Sequence, residues 1–438
     1  MIRTLLSLAG IVALLLCARA FLPPEQKVAG VALAFGALVL AARQAATLFH
    51  AFRLPHVTAY LVSGFLLGPE VSDLVTASML ERLGLVNGVA VGLIALTAGC
   101  ELSIPELRPR LRTIAIVDLL ALGGGAVALS VVLYLLMPHL ALAEGLSPAQ
   151  RWPVAATLGL VLASLSPAVA LAILEETKTR GPVADTLLGV VVFADLIVIV
   201  AFAMLHAVVA GAFGAAETIH PAERLGLEVF GSAGVGLVMA GFIALYAKRV
   251  RTKLPHCILA LCFVASELGA RLHLDVMILC LSCGLALRNA FRFSSEHVRD
   301  TLEPLTLPVF AIFFAVAGAT LHVSELATYL PFVLLLVVVR ALFTSGGAWV
   351  GAKVTQAPET VRRALPFGMV SQAGVSIGLA VLLARHFPTW GALAQPLVLG
   401  VITVNELVGP VLLRRALLAN PPPAHASATP TPAAVCVR

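Results

Sequence analysis

Charge is what this sequence has least of. Only 12% of its 438 residues are Asp, Glu, Lys or Arg, against about 25% in soluble globular proteins. At half the usual density, charged side chains do not cover so large a surface in water. That excludes a soluble enzyme, a disordered chain and a nucleic-acid binder. Cysteine is sparse too: seven, an odd number, most of them inside apolar runs, which excludes a disulfide framework. Nucleotide-binding glycine fingerprints, P-loops and zinc-ligand spacings are absent, so neither a cofactor nor enzyme chemistry is expected. The stretches between apolar runs are too short to hold a soluble domain. What is abundant is apolar: 60% of residues, with a mean hydropathy of +1.01. The apolar runs are continuous rather than alternating, which excludes an outer-membrane barrel. An all-α polytopic membrane protein remains.

A spanning helix needs about 20 mostly apolar residues. Fourteen runs qualify: approximately 4–22, 28–49, 56–76, 84–102, 112–137, 152–174, 183–210, 226–247, 254–270, 274–288, 304–321, 328–350, 364–385 and 391–413. Alternating sides after each run puts twenty of the 29 Lys and Arg on one side and seven on the other, leaving Arg43 and Arg340 inside spans. Positive charge gathers on the cytoplasmic side, so both chain ends are expected there. The first run has two readings, a retained helix or a secretory signal ending at Ala18-Arg19-Ala20. Residues 1–24 are therefore set apart from a transmembrane domain at 25–418. The Pro-, Ala-, Ser- and Thr-rich stretch 419–438 is expected to be a disordered tail.

Two runs are interrupted at their centres. Ser164-Leu165-Ser166-Pro167 breaks one, because proline removes a backbone donor and clashes with the preceding turn. Ser371-Gln372-Ala373-Gly374 sits at the same place in the other, seven spans later. An odd offset means that the two enter the membrane from opposite sides. Broken helices at matching positions of inverted-topology repeats point to an ion site near the midplane. A second pair of short spans, centred on Ser63-Gly64 and Cys283-Gly284, has the same offset.

Ionisable groups at mid-bilayer are costly and mark function. Asp195 lies about 18 Å into its span at 1.5 Å per residue, with only apolar sequence neighbours. Desolvation penalises its charged form, which suits a carboxylate that takes a proton and a metal cation by turns. Arg340 lies at similar depth and stays protonated; it either pairs with a buried carboxylate or competes with the cation for Asp195. Glu267 is the candidate partner for Arg340. Glu406, beside Asn405, either ties broken backbone or belongs to the site. Asp118 either lines an inner vestibule or makes a local hydrogen bond.

Seven segments now occur in an order that resembles a known family: PHVTAYLVSGFLLGP, LTAGCELSIPELR, SLSPAVALAILEE followed by GVVVFADLIVIV, PVFAIFFAVAGATL, GMVSQAGVSIGLAVLL and NELVGPVLL. Together, over residues 28 to 416, they resemble the monovalent cation:proton antiporters of the sodium/proton exchanger superfamily, including the membrane part of Kef-type systems. The resemblance implies a core domain and a dimerisation domain, a homodimer, and two broken helices crossing at the site. It implies that Asp195 binds H+ and Na+ or K+ in turn, with Ser164 and Ser166 supplying oxygens beside Pro167, and Gln372 and Gly374 forming the second break. It places the protein in the plasma membrane, the inner one in a bacterium.

The sequence departs from the family in three ways. Many members carry a polar residue directly before the essential aspartate, where this chain has Ala194. One carboxylate favours one proton per cation. The nucleotide-binding regulatory domain of Kef-type systems is not found in this sequence, so gating by its ligands is not expected. The first span exceeds the usual thirteen. The competing reading is a sodium-coupled organic-anion symporter of the bile-acid type, which shares the inverted-repeat logic.

Overall fold

The computed structural model describes residues 7, 10–13, 27–214, 221–250, 253–272, 274–321, 324–372 and 375–420. Regular structure among them is entirely helical. Lipid offers backbone groups no partner, so continuous apolar segments satisfy their own N–H and C=O groups as helices. The first are α1 (Lys27–Ala51), α2 (His56–Leu67) and α3 (Gly84–Glu101). A π turn, Leu119–Gly123, joins α4 (Leu111–Asp118) to α5 (Gly124–Leu136). Next come α6 (Pro148–Ala163), α7 (Pro167–Thr177), α8 (Pro182–Ala212) and α9 (Pro221–Arg249). They are followed by α10 (Leu254–Leu272), α11 (Val276–Asn289), α12 (Arg292–Ala319) and α13 (Ser324–Val354). The last three are α14 (Glu359–Gly368), α15 (Val375–His386) and α16 (Gly391–Ala419).

Among the described residues, eight helical stretches are long and apolar enough to cross a bilayer, and five shorter apolar helices accompany them. These thirteen fall on the second to fourteenth expected spans. The first expected span and the expected tail lie almost wholly outside the described residues. The longest helices, α8 and α13, have 31 residues each, about 46 Å at 1.5 Å per residue. That exceeds a hydrocarbon core of roughly 30 Å.

The short helices pack backbone to backbone on their neighbours through small residues, as membrane helices do. A Cβ on Gly64 of α2 would lie 1.9 Å from the carbonyl oxygen of Ala315 and 2.9 Å from the nitrogen of Ala319, both on α12. A Cβ on Gly284 of α11 would lie 2.2 Å from the carbonyl oxygen of Leu96 and 2.8 Å from the nitrogen of Cys100, both on α3. In return, Gly318 of α12 meets the Leu61 carbonyl and Gly99 of α3 meets the Leu281 carbonyl. The same contact is built twice, from residues 219 or 220 positions apart: Leu61 and Leu281, Gly64 and Gly284, Leu96 and Ala315, Gly99 and Gly318, Cys100 and Ala319.

Arg53, Arg110, Arg180, Arg288 and Arg414, which the alternation of spans assigns to one side, are tied into one set of contacts at the helix ends. Arg110 pairs with Asp185 at 3.1 Å, Arg180 with Glu175 at 2.7 Å and Glu101 at 3.7 Å, and Arg288 with Glu106 at 3.9 Å. Arg414 pairs with Glu176 at 2.9 Å and donates to the Arg53 carbonyl at 2.7 Å. Glu176 in turn accepts the His56 N–H at 2.9 Å, so the loop entering α2, the end of α7 and the end of α16 are held together.

Candidate functional site

Break one runs from the end of α6 at Ala163 to the start of α7 at Pro167. Pro167 takes the first helical position, where its missing N–H is no loss. Ser166 caps the new helix, its Oγ accepting the Val169 N–H at 3.3 Å. Break two follows α14 at Gly368 and precedes α15 at Val375. Gly374 lies outside the described residues; Gln372 is fully buried within the break.

The two breaks meet. Gln372 Nε2 donates to the carbonyls of Val161 (3.1 Å) and Leu162 (3.3 Å) at the end of α6. Ser164 Oγ donates to the Val161 carbonyl at 2.7 Å and lies 2.5 Å from Ser376 Oγ on α15. Asn405 Nδ2, on α16, donates to Gln372 Oε1 at 3.1 Å.

Arg340 is buried between them. Its Nε donates to the Leu162 carbonyl, its Nη2 to the Ser164 carbonyl and its Nη1 to the Val370 carbonyl, each at 2.7 Å. This corrects the expected pairing of Arg340 with a carboxylate. A broken helix exposes carbonyls that have lost their i+4 donors, and a planar guanidinium fork serves several of them at once. Glu267 is not its partner. That carboxylate pairs with Arg271 at 2.6 Å, one turn along α10, and is half exposed.

Asp195 lies on α8, 6% exposed. Both its carboxylate oxygens are buried without a hydrogen-bond partner among the described residues. Its helix packs against both halves of the first broken span, α6 and α7. No hydrogen bond joins Asp195 to Ser164 or Ser166; those hydroxyls serve the breaks themselves. Asp118, at the end of α4 before the π turn, and Glu406, on α16, are also buried with both oxygens unpartnered. These three carboxylates are buried without a hydrogen-bond partner among the described residues, while the bonds of the buried Arg340 go to carbonyls. Burying an isolated ionised carboxylate is costly.

Three residues of this region escaped the sequence reading. Ser376 is the second residue of the half-helix after break two, where its polarity inside an apolar run was the available signal. Ser371 was seen only as part of the break. Asp275 stands at a span end, where an acid is unremarked. It caps α11 through an Ile278 N–H at 2.8 Å, while Ser232 of α9 accepts its own N–H at 2.9 Å.

Fold and site together define a polytopic helical membrane protein whose two broken spans meet beside buried, unpaired acids. The chain belongs to the sodium/hydrogen exchanger family, transmembrane part, whose profile matches residues 35–419. It is 26% identical over 371 residues to the Na(+)/H(+)-K(+) antiporter GerN of Bacillus cereus, covering 82% of this chain and 89% of that one. It is 27% identical over 318 residues to the glutathione-regulated potassium-efflux protein KefC of Cronobacter sakazakii, covering 71% of this chain and spanning about half, 48%, of that protein. In fold it is similar to the sodium proton antiporter MjNhaP1 of Methanocaldococcus jannaschii. There the TM-score is 0.64 at 16% identity, over 90% of this chain and 98% of that one.

Proposed function

We propose that this chain exchanges a monovalent cation, Na+ or K+, for protons by alternating access, with Asp195 as the group that both ions share. The observation that carries this reading is Asp195 itself, a buried carboxylate with no hydrogen-bond partner among the described residues, on the helix that packs against the first broken span. A proton and a cation compete for it, and that competition couples the two fluxes. Family membership and the antiporter names of the relatives support the same reading, whereas the organic-anion symporter gains no support from them. Ala194 directly before Asp195 favours one proton per cation. Ser164 and Ser166 are the candidate hydroxyls for the cation's remaining coordination.

Residues 25–418 form the antiporter domain, with core and dimerisation parts, between an extra N-terminal segment at 1–24 and a tail at 419–438. The two halves are inverted-topology repeats. The doubled contact at residues 219 or 220 apart supports this, because seven spans separate each pair and an odd number reverses direction. The protein works as a homodimer in the plasma membrane, the inner one in a bacterium, with the Arg414 end in the cytoplasm.

Asp195→Asn tests the reading. In proteoliposomes carrying a pH gradient, Na+, K+ or Li+ should collapse the gradient with the unaltered protein, and exchange should fall to background with the variant. Undiminished exchange by a folded Asp195→Asn protein would falsify the mechanism.

A further inference from the structure

Break two carries more oxygen than its own hydrogen bonds use. Gly409 follows Asn405 by four residues and Glu406 by three, so it lies between them on α16 and all three fall within about 100° of the helix surface. That face lies against the break. Asn405 bonds Gln372, and a Cβ on Gly409 would lie 2.5 Å from Ser371 Oγ and 2.7 Å from Ser371 Cα. Only glycine at 409 lets α16 come so near. Ser371, Gln372, Asn405 and Glu406 are all buried. Four oxygens there, Ser371 Oγ, Asn405 Oδ1 and both of Glu406, have no hydrogen-bond partner among the described residues.

The hydrogen bonds of the neighbouring side-chain donors go to other acceptors. Arg340 gives its three bonds to the Leu162, Ser164 and Val370 carbonyls, and Gln372 Nε2 is shared between Val161 and Leu162. Acceptors buried without donors are destabilising. A cluster of hydroxyl, amide and carboxylate oxygens becomes favourable once a hard cation sits among them, since such ions take oxygen ligands. Unwound backbone at a broken helix is where transporters place such ions.

The doubled architecture gives the same answer. α8, which carries Asp195, packs on α6 and α7, the two halves of the first broken span. α16, which carries Glu406, packs on α14 and α15, the two halves of the second. Glu406 therefore stands to break two as Asp195 stands to break one.

We infer that Glu406, Ser371 Oγ and Asn405 Oδ1 form a second alkali-cation site at break two, the counterpart of Asp195 at break one. This rests on the antiport reading only in the choice of ion. The test is cation-dependent stabilisation of the purified full chain, since a ligand that binds the folded state alone raises its unfolding temperature. Unfolding is followed in NaCl or KCl against choline chloride at equal ionic strength. The unaltered protein and the variants Asp195→Asn, Glu406→Gln and Asp195→Asn/Glu406→Gln are compared, each with its proteoliposome exchange.

The expected result is that Asp195→Asn retains a cation-dependent rise and the double variant loses it. Ser371→Ala in the Asp195→Asn background should weaken the apparent cation affinity about tenfold, the equivalent of one lost ligand contact of about 1.4 kcal/mol; it also serves if the double variant does not fold. A rise abolished by Asp195→Asn alone overturns the second site, as does one that survives the double substitution, or one unmoved by Ser371→Ala. Loss of exchange in Asp195→Asn, with or without the rise, leaves the antiport mechanism standing, so the two ideas fail separately.

Discussion

Arg340 shows how much one side chain can hold. It satisfies three carbonyls drawn from two stretches of chain, Leu162 and Ser164 on one and Val370 on the other. Arg340→Ala removes all three donors, leaving the Leu162 carbonyl with Gln372 alone and taking from the Ser164 and Val370 carbonyls their guanidinium partner. The expected cost is on the order of 3 kcal/mol or more, at about 1–3 kcal/mol per orphaned group. Thermal unfolding in detergent should show a large drop, and Arg340→Lys should recover only part of it, because a point charge does not replace a planar fork. The depth of Arg340 was legible in the sequence; its partners were not, because they are backbone atoms that become available only where helices break. Glu267 was misread for a related reason. Its apolar surroundings suggested burial, but it lies close to the end of α10 with Arg271 one turn away, where water and a local ion pair are at hand. At Asp195 the sequence showed depth and isolation, and the structure adds that no side chain among the described residues hydrogen-bonds its carboxylate.

At the level of elements, the breaks were readable because each carries its own local chemistry. Ser-Leu-Ser-Pro removes a donor and supplies a cap, while Ser-Gln-Ala-Gly interrupts an otherwise apolar run. Their meeting was expected only from the family resemblance, and the bonds that make it were not readable, since Gln372 reaches the end of α6 across more than two hundred residues. The π turn after Asp118 was also invisible, because nothing in Leu-Leu-Ala-Leu-Gly separates it from ordinary helix. The doubled glycine contact supports a paired prediction. Gly64→Ala and Gly284→Ala each drive a methyl into a facing carbonyl, and each should destabilise by about 1–3 kcal/mol, the usual cost of overpacking. Gly124→Ala, which has open space around it, should be neutral or mildly stabilising because alanine is the better helix former. Comparison of the three by thermal unfolding, with unequal effects at 64 and 284, would count against the two halves being structural counterparts.

For the whole molecule, continuous apolar runs were enough to locate the eight long apolar helices and the five shorter ones found among the described residues. A carboxylate shared by two ions has a consequence for transport as a whole. As pH falls, protons occupy Asp195 more often and the cation must compete harder. The apparent KM for Na+ or K+ should therefore rise as pH is lowered, while the rate at saturating cation should decline at high pH, where protons for the return step are scarce. Initial rates over a matrix of pH and cation concentration in proteoliposomes check this; a KM independent of pH would be incompatible with sharing.

The Arg340 clamp also limits what can move. With one guanidinium fastened to both interruptions, neither strand can slacken without stripping hydrogen bonds from the other. Access is then most cheaply switched by carrying the joined pair as one rigid load past its surroundings, and a hinge opened inside the crossing would be the costlier route.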